Sequence, residues 1–296
     1  MNDQAADLRV KMKRALDNSE EKIETKVVAV ASGKGGVGKS SFTINFALGL
    51  QNHGKKVLII DLDIGMANVD ILLGITSSYS IVDMLQDTLP IEEIIVEGPL
   101  GLSFVSGGSG LTEIFSMDQL KLDYFIQQIS SLAKYDYIFF DIGAGISINS
   151  LQFLLSAHEI FIITTPEPTA ITDAYAMIKF IHLEDENIPL SLIVNRVRHY
   201  REGLSTATNV SNVCKEFLEK EIIHLISIPE DEMVWKGVRS QSPSIILAPS
   251  ASSSLAIDEG VLRYLQGSDR EETRSSITGF ITKLRMRLFR KGAINR

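Results

Sequence analysis

Residues Gly33-Lys34-Gly35-Gly36-Val37-Gly38-Lys39-Ser40 restrict the possible folds of this chain more than any other segment. They sit between an unbroken apolar run, Val27–Ala31, and a stretch from Ser41 to Ala47 that opens as a helix. A phosphate-cradling loop needs this strand–loop–helix setting. The glycines let backbone N–H groups converge on phosphate oxygens, and the following helix N-terminus adds a positive dipole. Lys39 is placed to neutralise the β- and γ-phosphates, and the Ser40 hydroxyl to ligate Mg²⁺. Ser41, in the same first turn, completes the expected nucleotide-binding set. An idle glycine turn has no need of a lysine and a serine in register behind it.

A loop of this kind demands a parallel sheet, and the rest of the chain supplies one. Near-continuous apolar runs predict strands at 27–32, 57–61, 102–106, 137–141, 160–164, 191–195 and 224–228. Unbroken rather than alternating runs fit strands covered on both faces. Helices are expected between them at 39–51, 117–133, 169–182 and 211–220. This alternation implies an α/β, doubly wound, mainly parallel sheet that binds ligands at the carboxyl ends of its strands. The expected organisation is a polar leader at 1–24, a nucleotide-binding domain at 25–266, a linker at 267–275 and a terminal helix at 276–296.

Two strand ends carry the acids that phosphate chemistry requires. Asp61 and Asp63 lie two residues apart, so strand geometry points both to one side. One can sit near the metal while the other orients an attacking water. Asp141 ends a third apolar run, Ile138–Phe140, and Gly143 and Gly145 after it make a segment able to move with the γ-phosphate. Asn195 and Arg196 end another strand. No Asn-Lys-x-Asp guanine motif is present, which favours ATP over GTP. No glutamate stands out as a base, so catalysis would rest on positioning and charge neutralisation.

The run from Lys34 to Ser40 matches the whole of Lys-Gly-Gly-x-Gly-Lys-[Ser/Thr] and resembles the deviant phosphate loop of MinD, ParA and the arsenite-pump ATPases. The resemblance covers roughly residues 25–265. It implies an ATP- and Mg²⁺-dependent dimer in which Lys34 reaches the partner's nucleotide, so that Lys34, Lys39 and Asp63 are catalytic. It also implies that Asp61 and Asp141 belong with Ser40 to the metal shell and that Asp63 positions the water. Asn195 resembles the family's adenine-binding asparagine, with Arg196 available to cover the ring. Pro229-Glu230-Asp231 resembles the loop whose backbone closes over the base. In MinD-type chains the third position of Asp-x-x-Ala-Gly is usually proline; here it is Gly143. Residues 165–169 match the MinD pattern and are expected to be structural or dimer-facing.

The two ends suggest what such a switch serves. Asp3-Gln4-Ala5-Ala6-Asp7-Leu8-Arg9 resembles the Asp-Gln-Ala-x-x-Leu-Arg segment of the FlhG (YlxH/FleN) branch of the MinD family, whose members control flagellar number and placement. That resemblance implies that Asp3, Gln4, Ala5, Leu8 and Arg9 bind the GTPase FlhF and stimulate its GTP hydrolysis; flagellar basal-body proteins are further candidate partners. In the terminal segment Ile277, Phe280, Ile281, Leu284 and Leu288 form one apolar stripe, flanked by Lys283, Arg285, Arg287, Arg290 and Lys291. A basic amphipathic helix suits an anionic membrane surface. Docking on the protein's own body or on a partner would need the same pattern, and the MinD resemblance favours the membrane. A net charge of −8 argues against direct nucleic-acid binding. The single cysteine, Cys214, excludes an internal disulfide and a cysteine-only metal site. No apolar run is long enough to span a bilayer, so any membrane contact must be peripheral. The lone cysteine suits a reducing cytosol, and with the MinD resemblance the expected location is the cytoplasm, reversibly at the inner face of the cell membrane. A division-site MinD, or a ParA-type regulator of a transcription factor or DNA, is the alternative reading.

Overall fold

The computed structural model describes residues 24–63, 68–108, 119–145, 150–268 and 276–292. Eight strands form one sheet: β1 (Lys26–Ala31), β2 (Val57–Leu62), β3 (Val96–Glu97), β4 (Ser103–Val105), β5 (Tyr137–Ile142), β6 (Glu159–Thr164), β7 (Leu190–Val197) and β8 (Ile223–Pro229). Their spatial order is β3-β4-β2-β5-β1-β6-β7-β8. Every pairing is parallel except β3 with β4. All the expected strands are present within one or two residues at each end. The additional β3 is only two residues long and carries no apolar run that periodicity could detect.

The helices are α1 (Lys39–Asn52), α2 (Val69–Leu73), α3 (Ile81–Asp87), α4 (Ile91–Ile94), α5 (Gln119–Ser130), α6 (Ser150–Ser156), α7 (Pro168–Glu184), α8 (Tyr200–Leu218), α9 (Glu232–Ser240), α10 (Ser244–Leu247), α11 (Ser252–Ser268) and α12 (Ile277–Gly292). Strands β1, β2, β5 and β6 are buried along almost their whole length, because helices cover both faces of the sheet. One face packs Phe46, Phe139 and Phe161 beneath α1 and α11, with Tyr264 edge-on to Phe46 and Phe161. The other packs Phe125, Phe140 and Phe153 beneath α5, α6 and α12.

One helix departs clearly from expectation. The sequence predicts a helix at 211–220, whereas α8 begins at Tyr200. Its first two turns are polar and contain Gly203, which hides the helical pattern. The His199 ring nitrogen accepts the Glu202 N–H and caps the start. Gly203 is needed there because a Cβ would run into the Ser227 side chain of β8.

The terminal helix is docked on the body. Phe280 and Leu284 are fully buried and Ile277 nearly so, while Ile281 and Leu288 are half-buried against the same core. Phe280 stacks on Phe140 of β5 at 5.3 Å between ring centres. Arg287 pairs with Asp185 at 2.7 Å and Arg285 with Asp123 at 3.2 Å. The stripe expected to face lipid therefore faces protein here, the second of the occupants its pattern allows. Among the described residues no helix is long and apolar enough to cross a membrane. The leader segment with Asp3, Gln4, Ala5, Leu8 and Arg9 lies outside the described residues, as do 64–67 and 269–275 of the expected linker.

Candidate nucleotide site

Strand β1 delivers the glycine loop to the carboxyl edge of the sheet, where α1 begins at Lys39. The N-cap of α1 is Gly38, in a left-handed conformation (φ 91°) and without a side-chain cap. The first-turn N–H groups are thus left for an anion. Gly38 is constrained twice, since a Cβ would also strike the Asn195 amide. Asn195 donates to the Val37 carbonyl at 2.7 Å and accepts from Arg196 N–H. Its side chain braces the phosphate loop from the end of β7, a role its sequence context does not reveal. One amide proton and one oxygen lone pair remain for a base.

Beside the loop lie three acids and a lysine. Lys39 is buried and reaches Asp141 Oδ1 at 2.7 Å, with Asp63 Oδ2 at 4.0 Å. The Thr43 hydroxyl, one turn along α1, is shared between the Lys39 carbonyl at 3.0 Å and Asp141 Oδ1 at 3.3 Å; this positioning hydroxyl is not legible in the motif. Asp141 Oδ2 is buried with no hydrogen-bond partner among the described residues. Asp61 is fully buried and accepts three backbone N–H groups, from Asp63, Asn68 and Val69. Burial first, then neighbouring Asp141, pushes Asp61 up to about 7 despite those three donors. Asp63 is also raised, by burial first and Asp141 next, with Lys39 opposing. Its carboxylate lies 2.8 Å from where a Cβ on Gly143 would sit, so this glycine leaves room that a proline would fill.

Two neighbouring buried carboxylates, Asp61 and Asp141, the second with an orphaned oxygen, share a site whose one lysine pairs with Asp141, so the site is short of positive charge. A divalent cation suits it, and the oxygen donors of Ser40, Asp61 and Asp141 suit Mg²⁺. Among the described residues no cluster of three or more His, Cys, Asp or Glu could hold a metal unaided.

Lys34 lies apart from this cluster. Its Nζ donates to Glu167 Oε2 at 2.8 Å and to Thr169 Oγ1 at 3.1 Å. Hydrogen bonding and charge from Lys34 hold the Glu167 carboxyl below its ordinary range. Residues 165–169, expected to be structural or dimer-facing, thus hold the extra lysine at the rim.

The cleft of about 890 Å³ runs from Ser32, Gly35, Gly36, Gly38, Lys39, Ser40 and Ser41 past Asp63 to Asn195, Arg196 and the 229–231 loop. Gly33 sits behind it, where a Cβ would collide with the Asp173 backbone of α7. Arg196 has a left-handed backbone (φ 57°), a strained conformation of a kind concentrated at ligand sites. Asp231 turns its carboxylate away to cap α9 through Met233 N–H and to bind Ser252 and Ser253 at the start of α11. Burial alone would raise its carboxyl, but these hydrogen bonds prevail and hold it at about 2.

A phosphate cradle on a mainly parallel sheet has counterparts among known proteins. The family model described as ParA, NUBPL iron-transfer P-loop NTPase, matches residues 23–259. The chain belongs to the ParA family of P-loop NTPases. Within this family it is 35% identical over 263 residues to the flagellum site-determining protein YlxH of Helicobacter pylori, covering 88% of this chain and 89% of that one. It is 32% identical over 231 residues to the antiactivator FleN of Pseudomonas aeruginosa, covering 78% and 82%. The septum site-determining protein MinD complexed with Mg-ADP from Pyrococcus horikoshii superposes with a TM-score of 0.68 at 25% identity, covering 83% and 99%.

Proposed function

We propose that this ParA-family protein is a slow, Mg²⁺-dependent ATPase whose ATP-bound dimer regulates the number and placement of bacterial flagella. The dimer rests on one observation above all: Lys34 is held at the rim by Glu167 and Thr169, outside the Lys39–Asp141 cluster. A cation unused in its own cleft can complete the charge of a second copy's cleft. The flagellar assignment is supported by the YlxH and FleN relatives, each matched over about four-fifths of its length or more.

Within the cleft, Lys39 would exchange Asp141 for the β- and γ-phosphates. Mg²⁺, when bound, supplies the remaining neutralisation, with Ser40, Asp61 and Asp141 to hold it. Asp63, the most open of the three acids, orients the attacking water. Lys34 of the second copy neutralises charge developing on the transferred phosphoryl group. Turnover therefore depends on dimerisation.

The leader residues Asp3, Gln4, Ala5, Leu8 and Arg9 would engage an FlhF-type GTPase and stimulate it, and basal-body proteins are further partners. The protein would work in the cytoplasm and bind the inner membrane surface reversibly. Phe280 and Leu284 cannot fill the core and a bilayer at once, so membrane binding requires α12 to undock. FleN's description as an antiactivator favours a second output, on an activator protein.

Gel filtration with ATP and anionic liposomes tests this reading on the wild type, Asp63→Ala and a truncation after residue 273. An ATP-dependent dimer is expected for all three, persisting in Asp63→Ala, with lipid binding lost only in the truncation. A monomer under every condition refutes the switch. Deleting residues 1–20 should abolish stimulation of the GTPase while leaving ATP-dependent dimerisation intact.

A further inference from the structure

The cleft has an aromatic wall that none of the expected site residues includes. Helix α9 starts directly after Pro229-Glu230-Asp231, and Asp231 pins its first turn from both sides. Val234, Trp235 and Val238 on this helix line the same cleft as Lys39 and Asn195. Trp235 is 58% exposed and Val238 44%, whereas Gly237 is the buried residue of the helix. The Arg239 guanidinium lies 4.7 Å from the centre of the indole, covering one ring face. The cleft thus offers phosphate-binding N–H groups and Lys39 at one end. The same cleft offers an exposed indole and two valines, and, braced against the phosphate loop, the spare hydrogen-bonding capacity of Asn195.

We infer that Trp235 is a base-binding residue whose indole forms the stacking wall for the adenine of the bound nucleotide. A large, exposed aromatic in the same cleft as a polar amide suits a flat heterocycle, which gains stacking on its face while its edge is read by hydrogen bonds. The Arg239 guanidinium on the indole restricts its rotation and keeps the wall in place. This inference rests on the proposed adenine-nucleotide reading, which itself needs only the phosphate loop and Asn195.

The chain contains one tryptophan, so its emission reports on this wall alone. Titrating the full-length protein with Mg-ADP should change Trp235 emission saturably, whereas Mg-tripolyphosphate, which has no base, should bind without that change. Calorimetry should find Mg-ADP about tenfold weaker for Trp235→Ala and nearly restored for Trp235→Phe, with tripolyphosphate affinity equal in all three. Mg-ADP binding to wild type with unchanged emission, and with equal affinity in Trp235→Ala, overturns the stacking wall and leaves the ATP reading standing. A parallel loss of tripolyphosphate binding in Trp235→Ala also overturns it, because the defect is then not at the base. Failure of wild type to bind Mg-ADP overturns both.

Discussion

The cleft above the sheet and the groove under α12 are built on opposite logic. In the cleft, Asp141 and Asp63 share Lys39, Asp61 lies beside Asp141 in the sheet, and one carboxylate oxygen of Asp141 has no partner among the described residues. Its design is complete only when a charged ligand arrives. In the groove Phe280, Leu284 and Ile277 fill an apolar trough, and Arg285 and Arg287 are paired at its rim. That site is satisfied by the chain's own end. A ligand must therefore add to the cleft but must compete at the groove, and this difference sets what mutations should do at each.

The largest effect is expected from Phe140→Ala, which empties the groove wall while leaving the apolar stripe of α12 intact. Losing the buried ring should cost about 3–5 kcal/mol in chemical denaturation. It should also raise binding to anionic vesicles, because the docked state loses while the lipid-bound stripe does not. Unchanged vesicle binding in a folded variant would show that groove and membrane do not compete. In the cleft, Asp63→Ala should lower ATP turnover by about a hundredfold or more with the ATP-dependent dimer retained. Turnover at the wild-type rate would remove Asp63 from the chemistry.

Acidity separates the two regions further. His158 lies beneath the start of α12, where its Nδ1 accepts the Val27 N–H at 2.9 Å. Burial first, then Lys283 and Lys26, lowers its pKa from 6.5 to about 4. The unfolded chain therefore binds the proton more readily between those values. The stability due to neutral His158 is full above about 6.5 and is lost as pH falls toward about 4. From pH 7 to pH 5 His158 by itself should cost about 2 kcal/mol, a contribution to the pH dependence of Tm that the raised carboxyl of Asp61 opposes over the same range. His158→Gln should remove that contribution, making the variant relatively more stable toward acid than wild type, and an identical pH dependence of Tm in the two would assign it to other groups. The smallest effect belongs to Asp185→Asn, which removes one ion pair at the groove rim. It should cost about 0.2–1 kcal/mol at low salt and less at high salt. A larger loss would mean that charge, not packing, seats the helix.

The sequence is informative where one residue type has one physical use. Gly38, Lys39 and Ser40 announce a phosphate cradle, and the unbroken apolar runs announce a parallel sheet, because few alternatives satisfy either pattern. It is less informative where a pattern serves several partners. The stripe at 277–288 suits lipid and protein alike, and only the packing of Phe280 on Phe140 distinguishes them here. Roles that depend on distant neighbours are not legible at all. Asn195 bracing Val37, Thr43 supporting Asp141 and the outward-turned carboxylate of Asp231 each need the fold before they mean anything. Trp235 falls in the same class, since on a polar helix it looks like any surface aromatic.

Strand β5 takes part in both regions, and its pleat assigns consecutive residues to them. Phe140 looks into the apolar groove and stacks on Phe280, while Asp141 looks the other way and holds Lys39. The charged chamber and the greasy one share a party wall the thickness of one peptide bond. Neither tenant can lean on that wall without the other feeling it.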